Sequence, residues 1–288
     1  MGAHGGIGSV EFLHLPRLVP DYVEKAIVFT PQARPALLVM ISSRAYPDSV
    51  EDAFQRAAAA RDALGEGASG AAVQVALRQG RSDGQSFAVV PYLWPIGRGR
   101  FSSRWDRFRL RRPVLEWLRE VTRRTVSSAP EATWAESFVN PLQALSRLEA
   151  AGERVRHAAV ASERALERRS WEPRWVLAHN DLWLGNFLRR RADPAGIPAF
   201  AVIDWGASQV LGYPVYDFLA LANSVSLSTA SLRRELREYC AALGCEPAHA
   251  RHHLLAALGA LSLVLGEWPV ERFAARAERF LTLMEAAE

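Results

Sequence analysis

A twelve-residue segment, "LAHNDLWLGNFL" at residues 177–188, constrains this chain more than any other part of its sequence. It places His179, Asp181 and Asn186 within a frame of leucine, tryptophan and phenylalanine. An ordinary buried strand or helix does not hold three hydrogen-bonding side chains in apolar surroundings, because an unpaired polar group costs free energy when it leaves water. The segment is therefore either a reaction centre or a buried polar cluster that ties neighbouring elements together.

The apolar pattern predicts a sheet-rich first part and a mainly helical remainder. Before residue 95, runs of β-branched and apolar residues predict three strands, a helix over Asp48–Leu64, and two more strands. The five predicted strands cover residues 9–15, 25–30, 36–43, 71–79 and 86–94. Later helices are predicted at about 112–127, 131–150, 153–169, 214–224, 230–243, 247–266 and 270–287. A short strand-rich segment at 175–205 interrupts these helices and contains the polar residues.

Composition is typical of a globular protein that is not bound to membranes or nucleic acid. Of the 288 residues, 49% are hydrophobic and 23% are charged, and the net charge is only +4. Ten arginines at 98–124 are interpreted as the polar face of helices. Two cysteines are too few for a disulfide framework or a zinc site. The longest apolar run, at 254–265, has 12 residues, whereas a bilayer span needs about 20. The N-terminus shows no signal-peptide pattern, so we expect a cytoplasmic protein.

The spacing of three polar residues predicts a metal site beside a proton acceptor. Asn186 begins the first strand of a predicted hairpin and Asp204 ends the second, so the turn can bring the two side by side. Carboxylate and amide oxygens suit Mg²⁺, which completes its coordination with phosphate and water. Asp181 lies five residues before Asn186 and can face the same space without binding metal. It is then free to accept the proton of an attacking hydroxyl, as in phosphoryl transfer.

The segments "HNDLWLGN" and "VIDWG" resemble the aminoglycoside phosphotransferase and choline kinase superfamily, the small-molecule branch of the protein-kinase-like fold. Members typically carry H-G/N-D-x-x-x-x-N, a hairpin, and then I-D-W/F. The resemblance implies an α+β, two-lobed fold: an antiparallel-sheet N-lobe with one helix at residues 1–94, and a larger, mainly helical C-lobe at 95–288. It also implies that His179 organises the catalytic loop and that Asp217, in a P-x-x-D element, is a structural acid that anchors it.

The chain departs from the family pattern where the nucleotide phosphates bind. Members place a lysine on the third strand, but here that strand is "ALLVMISSR", and the lysine should fall near Met40 or Ser42. Lys25 on the preceding strand and Arg44 are the candidate substitutes, and Lys25 could instead be a solvent-facing strand end. Glu51 is the candidate for the helix glutamate that pairs with the family lysine. The glycines of "GAHGGIGS" are a weak signal for a phosphate-binding loop, and the turn "PRLVPDYVE" has none.

The linker and the catalytic loop suggest further contacts. "FAVVPYLWPIG" lies where the family's hinge holds adenine, which places Pro91, Tyr92 and Leu93 near the base. Pro91 has no N–H, so backbone bonds to the base would come from its carbonyl and from the residues after it. Trp183 is a candidate substrate contact. The sequence after residue 222 mixes glutamate and arginine nearly evenly, so it lacks the excess of acids that would surround a polycationic aminoglycoside, and the substrate class stays open.

Two functions follow as hypotheses. The first is an ATP- and Mg²⁺-dependent phosphotransferase that moves the γ-phosphate to a hydroxyl of a small molecule, which could be aminoglycoside-, amino-alcohol- or sugar-like. The alternative is a non-catalytic, pseudokinase-type binding or immunity protein with a degraded nucleotide lobe. The missing third-strand lysine motivates the alternative.

Overall fold

The computed structural model divides the chain into two compact units. Unit 1 comprises Met1–Arg98 and Gly185–Ser208, and unit 2 comprises Gly99–Leu184 and Gln209–Glu288. The division differs from the predicted boundary after residue 94, because the segment Gly185–Ser208 returns to unit 1 and pairs with its strands. The structure describes residues 6–13, 22–96, 100–190, 198–266 and 268–288.

The main sheet of unit 1 has five antiparallel strands in the order β1-β2-β3-β5-β4. They are β1 (Ser9–Leu13), β2 (Glu24–Phe29), β3 (Pro35–Ile41), β4 (Arg78–Ser82) and β5 (Gln85–Pro91). Alternate residues of β5 are buried, as expected for a sheet with one face covered by a helix. Most of the predicted turn at 16–24 lies outside the described residues.

The fourth strand begins later than predicted. Residues 71–79 were expected to form it, but β4 starts at Arg78 and continues into the predicted loop. Asp83 and Gly84 make the turn to β5, and both have positive φ angles, of 50° and 79°. An Asp-Gly pair favours this tight turn, which suits the twist of a hairpin. The residues before β4 instead contact another strand, since Val202 N–H donates to the Ala72 carbonyl at 2.7 Å.

Helix α1 (Ser49–Leu64) packs against β5, and the short helix α2 (Ala68–Ala71) follows it. Asp48 occupies the N-cap position, but its side chain makes no capping hydrogen bond. Its carboxylate contacts Arg81 of β4 instead, in an exposed ion pair. Glu51 and Asp52 lie in the first turn, where negative charge is favourable.

A second, three-stranded sheet of unit 1 has the order β10-β9-β6. Its strands are β6 (Trp94–Pro95), β9 (Phe187–Arg189) and β10 (Phe200–Val202). Strands β9 and β10 form the predicted hairpin, and most of its predicted turn at 192–198 lies outside the described residues. A 3₁₀ turn at Trp205–Ala207 follows β10, and its buried indole donates to the Val202 carbonyl at 3.0 Å.

Unit 2 is mainly helical, as predicted, and contains one small sheet in the order β11-β8-β7. The strands are β7 (Ser127–Ser128), β8 (Arg174–Ala178) and β11 (Gln209–Gly212). The helices are α3 (Arg100–Thr125), α4 (Asn140–Arg147), α5 (Glu153–Glu167), α6 (Tyr216–Ser224), α7 (Thr229–Leu243), α8 (Ala250–Ser262) and α9 (Val270–Ala287). The helix predicted at 131–150 is divided, because a 3₁₀ turn and a π-helical turn precede α4. Within the described ranges, no helix is both long enough and apolar enough to cross a membrane.

Several arginines of α3 are paired with acids. Arg112 bonds Glu116 at 2.6 Å one turn later, and Arg124 bonds Glu120 at 2.7 Å. Arg119 contacts the largely buried Glu235 of α7. These three arginines are therefore paired within the protein.

Candidate active site

A cavity of about 420 Å³ lies within unit 1. Strands β2, β3 and β5 and helix α1 all contribute to its lining. Its apolar lining includes Leu38, Met40, Val50, Phe54, Val90 and Leu188. Cavities of this size with mostly apolar walls are typical of small-molecule and cofactor sites.

The three predicted hinge residues, Pro91, Tyr92 and Leu93, all line this cavity. The Pro91 carbonyl accepts a hydrogen bond from the Gln74 side-chain amide at 3.2 Å. The Tyr92 N–H donates to the Ala36 carbonyl at 2.9 Å. Two backbone groups near the expected base are thus already bonded within the protein, so a base would share the Pro91 carbonyl with Gln74 or use Leu93.

Lys25 lines the same cavity as Asp204. It lies on β2 directly opposite Met40 of β3, and Met40 also lines the cavity. The Cβ atoms of such directly opposed residues are about 4.5–5.5 Å apart. The third-strand position is therefore apolar, and the neighbouring strand supplies a cation to the same space.

The other residues considered for the phosphate contact have different surroundings. Ser42 is fully buried, and its hydroxyl donates to the Pro47 carbonyl at 2.8 Å. Glu51 accepts a hydrogen bond from Arg81 Nε at 3.1 Å, so its partner is an arginine and not a lysine. Arg44 is exposed and is not among the residues that line the cavity.

The predicted metal ligands, Asn186 and Asp204, lie at adjacent strand ends in unit 1. Asn186 directly precedes β9 and is buried, and its carbonyl accepts the N–H of Ile203 at 3.0 Å. Asp204 follows β10 in the left-handed conformation, with φ 67° and ψ 55°. Its side chain is exposed to the cavity that Lys25 lines. One carboxylate and one amide are hard oxygen donors that fit Mg²⁺, which usually takes one or two protein carboxylates plus phosphate oxygens.

Asp217 fixes the loop that carries Asp181, and both residues lie in unit 2. The Asp217 carboxylate accepts the backbone N–H of His179 at 2.6 Å and that of Asn180 at 3.2 Å. Burial raises the pKa of Asp217, while the nearby His179 and these N–H groups lower it. Leu184 N–H, at the other end of the loop, donates to the Ser224 hydroxyl at 3.0 Å.

Three non-glycine residues of the candidate site have positive φ angles. Asn180 has φ 64°, Asp204 has φ 67° and Val215 has φ 77°. This conformation is costly for residues with a Cβ, and such strain is found mainly at functional sites. Val215 is held in place because it is fully buried and its N–H donates to the Tyr239 hydroxyl at 3.1 Å. The left-handed conformation of Asn180 also explains the G/N alternation at this position of the motif, since glycine and asparagine tolerate it best.

Asp181 lies at a second cavity, of about 430 Å³, within unit 2. Trp183 also lines it and is 51% exposed. Helix α6 contributes Tyr216, Asn223 and Ser224, and helix α9 contributes Arg276, Arg279 and Phe280. The proposed base and the candidate substrate contact therefore share a cavity with two arginines.

Sequence reasoning did not find these two arginines. Arg272, Arg276 and Arg279 are spaced by four and then three residues, which places them on one face of a helix. That spacing was the available signal, but the sequence alone does not show which cavity a C-terminal helix lines. Only packing of α9 beside α6 connects its arginines with Asp181.

Comparison with known proteins places these features in one family. The sequence model of the phosphotransferase enzyme family matches residues 28–255. Aminoglycoside phosphotransferase APH(4)-Ia, solved with AMP-PNP and hygromycin B, is 15% identical with a TM-score of 0.55, over 98% of this chain and 95% of that chain. A choline/ethanolamine kinase family protein from Mesorhizobium loti is 16% identical with a TM-score of 0.54, over 96% and 88%.

A third structure, the GDP complex of an aminoglycoside 2'-phosphotransferase, is 17% identical with a TM-score of 0.50, over 98% of this chain and 92% of that chain. A search of curated proteins finds no match. The structural similarities confirm the predicted α+β, protein-kinase-like fold, with an antiparallel-sheet N-terminal part and a helical C-terminal part.

Proposed function

Because this chain belongs to the phosphotransferase enzyme family, we propose that it transfers the γ-phosphate of ATP to a hydroxyl group of a small molecule. The observation that carries the proposal is the loop around Asp181. Its backbone is bonded to the buried Asp217 carboxylate, and the Asp181 side chain is exposed at a cavity of unit 2. A fixed loop that presents an exposed carboxylate is what proton acceptance from a substrate requires.

In this proposal unit 1 binds the nucleotide. Its cavity holds the base against Tyr92 and Leu93, and Lys25 contributes positive charge to the phosphates. Among the described residues that line this cavity, Lys25 is the one cation, so it takes the role that a lysine of the third strand has in other members of the family. The solved relatives with AMP-PNP or GDP support a nucleotide ligand.

Asn186 and Asp204 would hold Mg²⁺ in this proposal. When bound, the ion supplies positive charge that offsets the charge of the phosphate oxygens during transfer. Asp204 presents its carboxylate to the nucleotide cavity, whereas Asn186 is buried at the start of β9.

Unit 2 binds the acceptor in this proposal. Asp181 orients the acceptor hydroxyl by accepting its hydrogen bond and then takes its proton. Asp217 is a positioning residue, because its carboxylate accepts the backbone N–H groups of His179 and Asn180 and holds the loop in place. His179 is buried in this loop, and the proposal keeps it as an organiser of the loop. Trp183 and Tyr216 form apolar parts of the wall against which the acceptor packs.

The test is Asp181→Asn, which keeps the shape of the side chain but removes a basic carboxylate. We expect turnover to fall by roughly 10²–10⁴-fold, with ATP affinity unchanged. A mass-shift screen of amino sugars, amino alcohols and sugar metabolites measures turnover, and calorimetry measures ATP binding. Asp62→Asn, on the exposed face of α1, is the matched control. Turnover that survives in Asp181→Asn would remove Asp181 as the base.

The alternative is a non-catalytic binding or immunity protein, and one observation favours it. Met40 stands where the family lysine is expected, and Glu51 is bonded to Arg81. Calorimetry with ATP separates the two functions. Mg²⁺-dependent ATP binding supports the phosphotransferase, whereas absence of ATP binding supports the alternative.

A further inference from the structure

Helix α9 separates its charges onto two faces. Arg272, Arg276 and Arg279 share one face, since they are four and three residues apart. Glu278 and Glu285 lie on another face, where both bond Arg154 of α5, at 2.8 Å and 3.0 Å. The even mixture of acids and arginines in the sequence is therefore sorted in the structure, and the arginine face borders the cavity of Asp181.

Arg276 is held in this cavity without an acid. Its Nη1 donates to the Tyr216 hydroxyl at 3.0 Å, and its guanidinium lies 4.6 Å from the centroid of the Trp268 ring. Neither Arg276 nor Arg279 forms an ion pair with any acid in the described part of the chain. A guanidinium fixed by a phenol and an indole keeps its remaining donors for another group.

The charges that line the cavity do not balance. Arg276 and Arg279 contribute two positive charges, and Asp181 is the single acid in the described lining. Asp181 is committed to the acceptor hydroxyl in the proposed function. The two guanidinium groups are therefore available for a negatively charged part of the acceptor, and their planar forks match carboxylate and phosphate oxygens.

We propose that the acceptor is an anionic alcohol, whose carboxylate or phosphate group binds Arg276 and Arg279 while its hydroxyl faces Asp181. This inference rests on the proposed function and names its substrate class. A polycationic acceptor would place its ammonium groups against two arginines, which is repulsive at short distance. Asn223 and Ser224 in the same wall supply polar groups for further hydroxyls.

The test uses four six-carbon polyols that differ in charge and otherwise match. Gluconate carries a carboxylate, sorbitol 6-phosphate carries a phosphate, sorbitol is neutral and glucamine carries an ammonium group. Binding to the full-length protein is measured by calorimetry, and phosphorylation is measured by mass shift with ATP and Mg²⁺. We expect at least one anionic probe to bind about tenfold or more tightly than sorbitol, and glucamine to bind most weakly. Comparison of the two anionic probes identifies the preferred group.

Four substitutions at Arg276 and Arg279 test whether the preference for an anionic probe depends on these arginines. Arg279→Gln, at an exposed position, is expected to remove most of the preference for the anionic probe, and Arg279→Glu is expected to shift it toward glucamine. Arg276→Lys keeps the charge but loses the fork, so it should weaken anion binding less than Arg276→Gln does. Arg272→Gln is the matched control, because Arg272 is on the same face but does not line the cavity.

Each outcome separates this inference from the proposed function. Best phosphorylation of sorbitol or glucamine would overturn the anionic acceptor and leave the phosphotransferase intact. Anion binding that Arg279→Gln removes, without phosphorylation of any probe, would support the anion site and count against the phosphotransferase. Failure of both anionic probes to bind the wild type, or equal loss in Arg272→Gln and Arg279→Gln, would also overturn the inference.

Discussion

Asn180 shows how a single backbone angle restricts the catalytic loop. Asn180 lies between β8 and Asp181 with a φ of 64°, and its N–H donates a hydrogen bond to Asp217. Because the side chains on either side point in directions that this turn determines, a residue that avoids the left-handed region would move Asp181. These three polar residues differ in role: Asn180 makes the turn of the loop, Asp217 fixes the loop, and Asp181 projects from it.

We predict that Asn180→Val destabilises the protein by about 1–2 kcal/mol more than Asn180→Gly does, because a β-branched residue is strained at positive φ. Urea denaturation of both variants measures the difference. Turnover should follow the same order. Equal stability of the two variants would show that this angle does not constrain the loop.

The pairing of β2 with β3 decides that Lys25 lines the cavity of unit 1, where we propose that the nucleotide binds. Lys25 and Met40 are register partners, so their side chains lie on the same face of the sheet. A shift of the register by one residue would turn Lys25 to the other face. A lysine at position 25 or at position 40 would therefore project from the same face of the sheet, and the exchange would not change the fold.

We predict that Lys25→Met lowers kcat/KM for ATP about tenfold or more, through the loss of a charge-assisted contact. The double variant Lys25→Met with Met40→Lys should recover much of that loss, because it returns the lysine to the third strand at the opposite position. Steady-state kinetics and ATP calorimetry measure both. A double variant that is as impaired as the single one would argue against a shared phosphate contact.

The core of unit 2 contains a fully buried histidine. His253 of α8 is fully buried, and neither of its ring nitrogens has a hydrogen-bond partner among the described residues. Its ring packs edge-on against Trp171, with 4.9 Å between ring centroids. Burial and, to a lesser extent, the neighbouring His252, Arg174 and His249 lower the pKa of His253 to about 3.

We predict that stability falls as the pH falls below about 6.5, because the unfolded chain then binds a proton on His253 that the folded protein excludes until about pH 3. The contribution of this group is about 1.4 kcal/mol per pH unit over that range. His253→Leu should reduce the slope of unfolding free energy against pH by that amount, measured by urea denaturation between pH 4 and pH 7. His157→Gln, at an exposed site, is the control, and equal slopes in all three proteins would contradict the prediction.

The sequence predicted much of the fold because its elements are specified locally. Period-two apolar runs, the helix over Asp48–Leu64 and the hairpin before Asp204 depend on neighbouring residues. It was less accurate at residues 71–79, where pairing with Val202 replaces the expected strand. Such a contact joins residues more than a hundred positions apart, so no local pattern encodes it.

By itself, the sequence determined the family, since residues 28–255 match the phosphotransferase enzyme family, and it predicted Asp181, Asn186 and Asp204 as the residues that carry phosphoryl transfer. Only the tertiary structure decided which residues surround them. Strand register brought Lys25 opposite Met40, and helix packing brought the arginines of α9 to the cavity of Asp181. The physical reason is that a side chain's role in catalysis follows from its own chemistry, whereas the charge of a cavity is a sum over residues from distant segments.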